Sequence, residues 1–117
     1  MKDFSGYETS GANAASLTRL EQAFHELRCY IGDPVATVDK ALAESPSLVM
    51  GHILKAYLHL MGTEPAGLPV ARRAYEDSQA FSANDRERRH LETIRQLIEG
   101  RWRAAGLTLE DLSIDYP

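Results

Sequence analysis

The last third of the chain, residues 84–117, most constrains the fold. Asn84 followed three residues later by Glu87 forms a capping box, which begins a helix, and Gly100 is a residue type that ends one. Between them, apolar residues recur at helical spacing: Leu91, Ile94, Leu97 and Ile98. A second helical run contains Trp102, Ala105, Leu109 and Leu112, and Pro117 closes it. The segment therefore predicts two antiparallel helices joined by a tight glycine turn.

The first half of the chain is divided in the same way. An apolar stripe at three- and four-residue steps contains Leu17, Leu20, Phe24, Leu27 and Ile31, and Gly32 ends this helix. Asp33 then offers an N-cap oxygen, and Pro34 stands at the first position of a second helix, which Pro46 stops. Ser47 is the predicted N-cap of a third helix, which reaches Met61.

This third helix is apolar almost all round, and such helices usually lie between neighbours. We therefore expect it at the centre of the fold. Residues 62–67 predict a turn, after which Pro69 opens a fourth helix. Strand-like alternation is absent from the sequence. The prediction is an all-α fold of six helices, stacked as three antiparallel hairpins at about residues 13–45, 47–81 and 84–116.

Bulk properties exclude several functional classes. A chain of 117 residues fits one domain. The net charge of -4 argues against non-specific nucleic-acid binding. The one cysteine excludes an internal disulfide and fits a reducing cytosol. The sequence contains neither a membrane-spanning run nor the apolar core of a signal peptide, so we expect a cytoplasmic protein. The aperiodic residues 1–12 predict a flexible N-terminal arm, or one ordered only against a neighbour.

The hairpins resemble tetratricopeptide repeats, which have a period of about 34 residues. The third hairpin carries the resemblance through its glycine turn, Ala105 and Pro117, and the second through Pro46, Ala56 and residues 71–75. The first departs most, because the connection at residues 32–34 is short. SPSLVMGHILKAYLHLMG, followed by NDRERRHLETIRQLIEGRW, is similar to the N-terminal part of tetratricopeptide repeat protein 38-like proteins. The resemblance implies a scaffold that binds a partner, and it implies no defined reaction.

Motifs for catalysis, cofactors and metals are missing from the sequence. The glycines fall singly at turns, which excludes a phosphate-binding loop, and the sequence contains no nucleophile elbow. His25 and Cys29 lie four residues apart, but a metal site usually needs three or four converging ligands. We therefore expect a protein that is not an enzyme and holds no cofactor.

Two groups of residues are candidates for binding. His52, Lys55 and His59 share one face of the third helix. Such a stripe usually faces solvent, but on the concave side of a stack it would form a weakly basic floor for a carboxylate or phosphate. Arg89 and Arg95 would extend this floor. The expected partner is a protein or a peptide, bound through helix-lined surfaces.

The second group is apolar and lies on the last helix. It comprises Trp102, Leu107, Leu109, Leu112 and Ile114. A repeat array normally ends in a polar capping helix, so an uncovered apolar face predicts self-association or docking onto a continuation of the array. Two other hypotheses about the function remain open. The chain could be a structural or oligomerisation segment, or the N-terminal part of a longer protein or enzyme whose active part lies beyond Pro117.

Overall fold

The computed structural model describes residues 1–62 and 64–117, and its fold is all-α. The six helices are α1 (Ala14–Cys29), α2 (Pro34–Glu44), α3 (Val49–Leu60), α4 (Gly67–Ser78), α5 (Asp85–Ile98) and α6 (Trp102–Asp115). Outside the helices, the described residues contain one isolated antiparallel bridge, between Lys2 and Glu8. The predicted fold class is confirmed.

Local sequence signals set most of the helix boundaries. Asp33 caps α2 by accepting a hydrogen bond from the Ala36 N–H, with Pro34 at the first helical position, as predicted. The capping box of Asn84 and Glu87 at the start of α5 is also confirmed. The start of α3 differs from the prediction. Leu48 is its N-cap and makes no side-chain capping bond, because leucine has no acceptor atom, and the Ser47 hydroxyl donates to the Gly11 carbonyl.

Helix α1 ends earlier than predicted. Tyr30, with a φ of 55°, is the left-handed residue that terminates the helix, and Gly32, with a φ of 62°, lies in the turn that follows. Leu17 and Leu20 at the start of the apolar stripe are buried, whereas Leu27 and Ile31 at its end are exposed. The stripe is therefore covered only along its first half.

The helices pack as three hairpins, α1 with α2, α3 with α4, and α5 with α6. Helix α3 packs against α2, α4 and α5, which confirms its predicted central position. Its buried residues run almost without interruption from Val49 to Ala56, and Gly51 allows the close approach of Leu42 from α2. Helix α5 packs against both helices of the preceding hairpin. The hairpins thus share one continuous hydrophobic core.

Residues 1–11 make specific contacts with the helices, where the composition predicts a flexible arm. We call this segment the N-terminal strap. An Asp3 carboxylate oxygen lies 3.1 Å from Nη2 of Arg86, at the start of α5. The Arg86 guanidinium lies 4.8 Å above the Tyr7 ring, and the same ring makes an edge-on contact with Tyr116 after α6. The strap therefore crosses the end of the stack where α5 begins and α6 finishes.

Backbone hydrogen bonds fix the second half of the strap. The Ser10 N–H donates to the Glu87 carboxylate at 3.0 Å, and the Asn84 side-chain amide donates to the Glu8 carbonyl at 2.9 Å. The Val49 N–H at the start of α3 donates to the Ser10 carbonyl. These partners are far apart in the sequence, so only the tertiary fold reveals the order of this segment.

Candidate functional site

An open groove of about 530 Å³ lies between α2, α3 and α4, and we call it the α2–α4 groove. Its apolar residues are Leu42 and Ala43 from α2, and Pro69, Val70 and Ala74 from α4. Its polar residues are Asp39, His52, Lys55, Arg73 and Asp77. The first and second hairpins both contribute to it, so the groove exists only because the hairpins are stacked.

The charges around the groove are paired within the chain. Lys55 Nζ lies 2.7 Å from an Asp39 carboxylate oxygen, and Arg73 Nε lies 3.1 Å from an Asp77 carboxylate oxygen. Each pair places one positive and one negative side chain beside the apolar residues. The sequence predicts a weakly basic floor at this place. The structure instead has an apolar groove whose edges carry balanced charges, because the Asp39 carboxylate neutralises Lys55.

His52 is a fixed part of the groove wall. Its side chain is almost fully buried, with the residue only 8% exposed. Its Nε2 atom lies 2.9 Å from the Pro46 carbonyl oxygen, and its ring is stacked on Phe81 with a centroid distance of 6.0 Å. Because the carbonyl accepts, Nε2 must carry the hydrogen. The His52 side chain therefore contributes to packing and is not an accessible charged group.

The other three predicted binding residues lie elsewhere. His59 is half-buried, one turn beyond Lys55, and its carbonyl lies against Gly67 at the start of α4. Arg89 bonds Asp85 at 3.1 Å and also pairs with Asp115, so it ties the start of α5 to the end of α6. The structure thus brings together only two of the five predicted residues, His52 and Lys55.

Arg95 is held on α5 by two acidic neighbours. Its guanidinium pairs with Glu92 and Glu99, three and four residues away. The hydrogen bond with Glu92 raises the pKa of Arg95 and lowers the pKa of Glu92. An exposed i,i+3 or i,i+4 pair contributes little to the stability of a helix, so the role of these pairs is local to α5.

A half-buried pair joins α3 to α5. The Tyr57 hydroxyl lies 2.9 Å from Nδ1 of His90. Burial is the main reason that the pKa of His90 falls to about 4, and burial also raises the pKa of Tyr57. Both groups are therefore neutral at pH 7, and the tautomer of the imidazole determines which of the two donates the hydrogen bond. The pair satisfies the polar atoms of two half-buried side chains between two hairpins.

The apolar residues of α6 divide into two sets. Four are exposed: Trp102 at 62%, Leu107 at 56%, Leu109 at 38% and Ile114 at 75%. Leu112 is only 4% exposed, because it lies on the buried side of α6 together with Ala105. Leu112 therefore belongs to the core of the fold and is removed from the predicted self-association surface.

His25 and Cys29 lie close together near the end of α1. Cys29 Sγ lies 3.7 Å from His25 Nδ1, and both residues are exposed. Among residues 1–62 and 64–117, His, Cys, Asp and Glu side chains form no group of three that could hold a metal ion. Within the same ranges, every helix is too short or too polar to cross a membrane.

Most groove residues were missed by the sequence analysis. Arg73 and Asp77 are four residues apart on α4, a spacing typical of a helical ion pair, but this signal does not reveal what the pair flanks. Asp39 and Ala43 carry no sequence signal at all, since their importance comes from the position of α2 beside α4.

No protein-family model, curated protein or solved structure matches the chain.

Proposed function

We propose that the chain is a non-enzymatic helical-repeat scaffold, similar to tetratricopeptide repeat proteins, that binds an amphipathic helix of a partner protein in the α2–α4 groove. The observation that carries this proposal is the apolar groove of about 530 Å³ with one ion pair at each side. Amphipathic helices bind such grooves by placing their apolar stripe on the floor.

The charges suggest which helix would fit. Lys55 with Asp39, and Arg73 with Asp77, offer both signs of charge beside the apolar floor. A partner helix with an apolar stripe flanked by acidic and basic residues would exchange ion pairs with these edges. Exposed charges of this kind contribute more to orientation and association rate than to affinity. Most of the binding free energy would therefore come from the apolar stripe.

A steric block of the groove tests the proposal. Ala43 is exposed on α2 and lines the groove, so Ala43→Arg would fill it without disturbing the core. Ala15→Arg is the matched control, since Ala15 is exposed on α1 and is not a groove-lining residue. Circular dichroism would show that both variants remain folded.

The readout is the set of proteins that each purified variant retains from an extract of its native cell. We expect partners that wild type and Ala15→Arg retain in equal amounts, and that Ala43→Arg loses. Lys55→Glu should reduce the same partners, because it places a second carboxylate beside Asp39. Partners retained equally by all three substituted chains would show that binding uses another surface, and the groove proposal would be abandoned.

We further propose that the protein works in the cytoplasm. The support is its single cysteine, Cys29, which is exposed and unpaired in the fold. Exposed thiols persist in reducing compartments, whereas secreted domains of this size usually form disulfides. Microscopy of a fluorescently tagged full chain in the native cell would test this location.

A further inference from the structure

One exposed stripe of α6 has the spacing of a coiled-coil seam. Trp102, Gly106, Leu109 and Ser113 follow one another at steps of four, three and four residues, and all four are exposed. This is the alternation of the a and d positions in a heptad repeat. The other exposed apolar residues of α6, Leu107 and Ile114, lie on a different side of the helix, since residues at these positions are rotated by more than 100° from the seam.

The seam offers room for close contact. A Cβ atom added at Gly106 would meet no atom within 4 Å, so the backbone is open to a neighbour there. A shallow groove of about 420 Å³ follows the seam, lined by His90 of α5 and by Gly106, Leu109, Glu110, Leu112 and Ser113 of α6. A second helix lying on the seam would therefore contact both helices of the last hairpin.

Two charged residues flank the seam on one side. Arg103 and Glu110 are seven residues apart, both are exposed, and each directly follows a seam residue. Within the described part of the chain, neither side chain takes part in a salt bridge, unlike the arginines of α5 at positions 86, 88, 89 and 95. In heptad terms both occupy e positions, which face each other when two helices pair in antiparallel orientation.

We propose that α6 pairs with α6 of a second copy of this chain in an antiparallel, two-fold symmetric dimer. The four seam residues pair about a two-fold axis between Leu107 and Thr108, which places Trp102 opposite Ser113 and Gly106 opposite Leu109 of the partner subunit. This register leaves Arg103 about two residues, or roughly 3 Å along the helix, from the level of Glu110 of the partner subunit. The two long side chains span that distance, and the reverse pair forms by symmetry. Gly106 lies next to the axis, where the two helices approach most closely, and Trp102 packs over the seam of the opposite helix.

Charge complementarity is the reason to assign a second copy as the occupant. An isologous interface requires one patch that is complementary to itself. The flank of α6 meets this condition, because it presents one exposed positive and one exposed negative residue, Arg103 and Glu110, on the same side of the seam. This surface is separate from the α2–α4 groove, so the dimer is compatible with partner binding there.

The oligomeric state and Trp102 fluorescence together test the dimer. The chain has one tryptophan, so its emission reports on the seam alone. Size-exclusion chromatography with light scattering should give twice the chain mass of 13.0 kDa at high concentration. Dilution should shift the tryptophan emission to longer wavelength as Trp102 becomes exposed. A monomer at every concentration up to about 1 mM, a limit that corresponds to only -4.1 kcal/mol of binding free energy, would refute the proposal.

Charge reversal tests the symmetry. Arg103→Glu and Glu110→Arg should each weaken the dimer at least tenfold, since each places like charges opposite one another. The double variant should recover most of the lost affinity, because it forms both pairs with reversed sign. Arg72→Glu is the control for net charge, since Arg72 is exposed on α4, and it should leave the dimer unchanged. A dimer whose double variant is no stronger than the single variants would contradict the antiparallel pairing.

Gly106→Leu tests the close approach. The monomer has open space at this position, so the side chain should leave folding intact while separating the two seams. We expect a folded monomer with a long-wavelength tryptophan emission. Ile114→Ala is the matched control on the other side of α6 and should remain dimeric. If Ile114→Ala dissociates the dimer and Gly106→Leu does not, the interface lies on the opposite side of α6 and the proposed seam is excluded.

Discussion

Replacing Glu87 with alanine should destabilise the fold more than the removal of any other charged side chain of α5. Glu87 is fully buried, with 0% exposure, at the third position of the helix. One carboxylate oxygen accepts the Asn84 N–H at 3.0 Å, and the other accepts the Ser10 N–H at 3.0 Å. The side chain thus caps α5 and holds the N-terminal strap at the same time.

The expected loss follows from these two hydrogen bonds. Leaving a buried donor unsatisfied costs about 1–3 kcal/mol, and alanine at this position strands two of them. Asn84 and Ser10 are half-buried rather than fully buried, so water reaches part of each group and the lower half of the range applies. We therefore expect Glu87→Ala to lower the free energy of unfolding by about 3 kcal/mol, a large part of the roughly 5–15 kcal/mol typical of a domain.

Urea unfolding followed by helical circular dichroism measures this loss. With a slope of about 2 kcal/mol per M, the midpoint should fall by roughly 1.5 M. Glu92→Ala is the control, because Glu92 lies on the same helix and also bonds an arginine, but is only half-buried. Its midpoint should remain within error of wild type. If the midpoint of Glu87→Ala were the same as that of Glu92→Ala, the hydrogen bonds from Asn84 and Ser10 would contribute nothing to stability. The proposed role of Glu87 in capping α5 and holding the N-terminal strap would then be wrong.

Three further variants test other features. His90 has a pKa of about 4 in the fold against an ordinary 6.5, so only the unfolded chain gains its proton between these values, and stability should fall by roughly 3 kcal/mol as the pH decreases from 7 to 4. In urea titrations at several pH values, His90→Gln should remove this loss of stability at low pH. An unchanged loss would contradict the low pKa of His90. Tyr30→Gly should raise the thermal midpoint, since glycine relieves about 1 kcal/mol of left-handed strain. Gly106→Ala should stabilise the monomer by about 0.5–1 kcal/mol in urea, and a loss instead would show that Gly106 is packed.

The helices could be predicted because their signals are local. Asp33 and Asn84 each cap a helix through an atom three residues away, and the apolar stripe of α5 follows its period of 3.6 residues. The central position of α3 could also be predicted, since an all-round apolar helix must be covered on all sides. Such inferences need no knowledge of which other elements lie nearby.

The candidate site could be predicted only in part. His52 and Lys55 were found because they share a helical face, but a face does not reveal its neighbours. Pro46 and Phe81 bury His52, and Asp39 neutralises Lys55, and these contacts depend on how α2 and the end of α4 pack around α3. Arg89 and Arg95 both lie on α5 among acidic residues. Asp115 at the end of α6 holds the Arg89 side chain, whereas Glu92 on α5 holds the Arg95 side chain.

The sequence by itself determined the number of helices, their order and most of their ends, because caps, turns and amphipathic periods act over three or four residues. The tertiary structure alone decided which polar residues are buried and which apolar ones are exposed. Leu112 and Leu109 are both leucines on α6, but only Leu112 is turned into the core. The N-terminal strap shows the same dependence, because Ser10 meets a carboxylate 77 residues away. Contacts over that distance arise from packing, which no local pattern encodes.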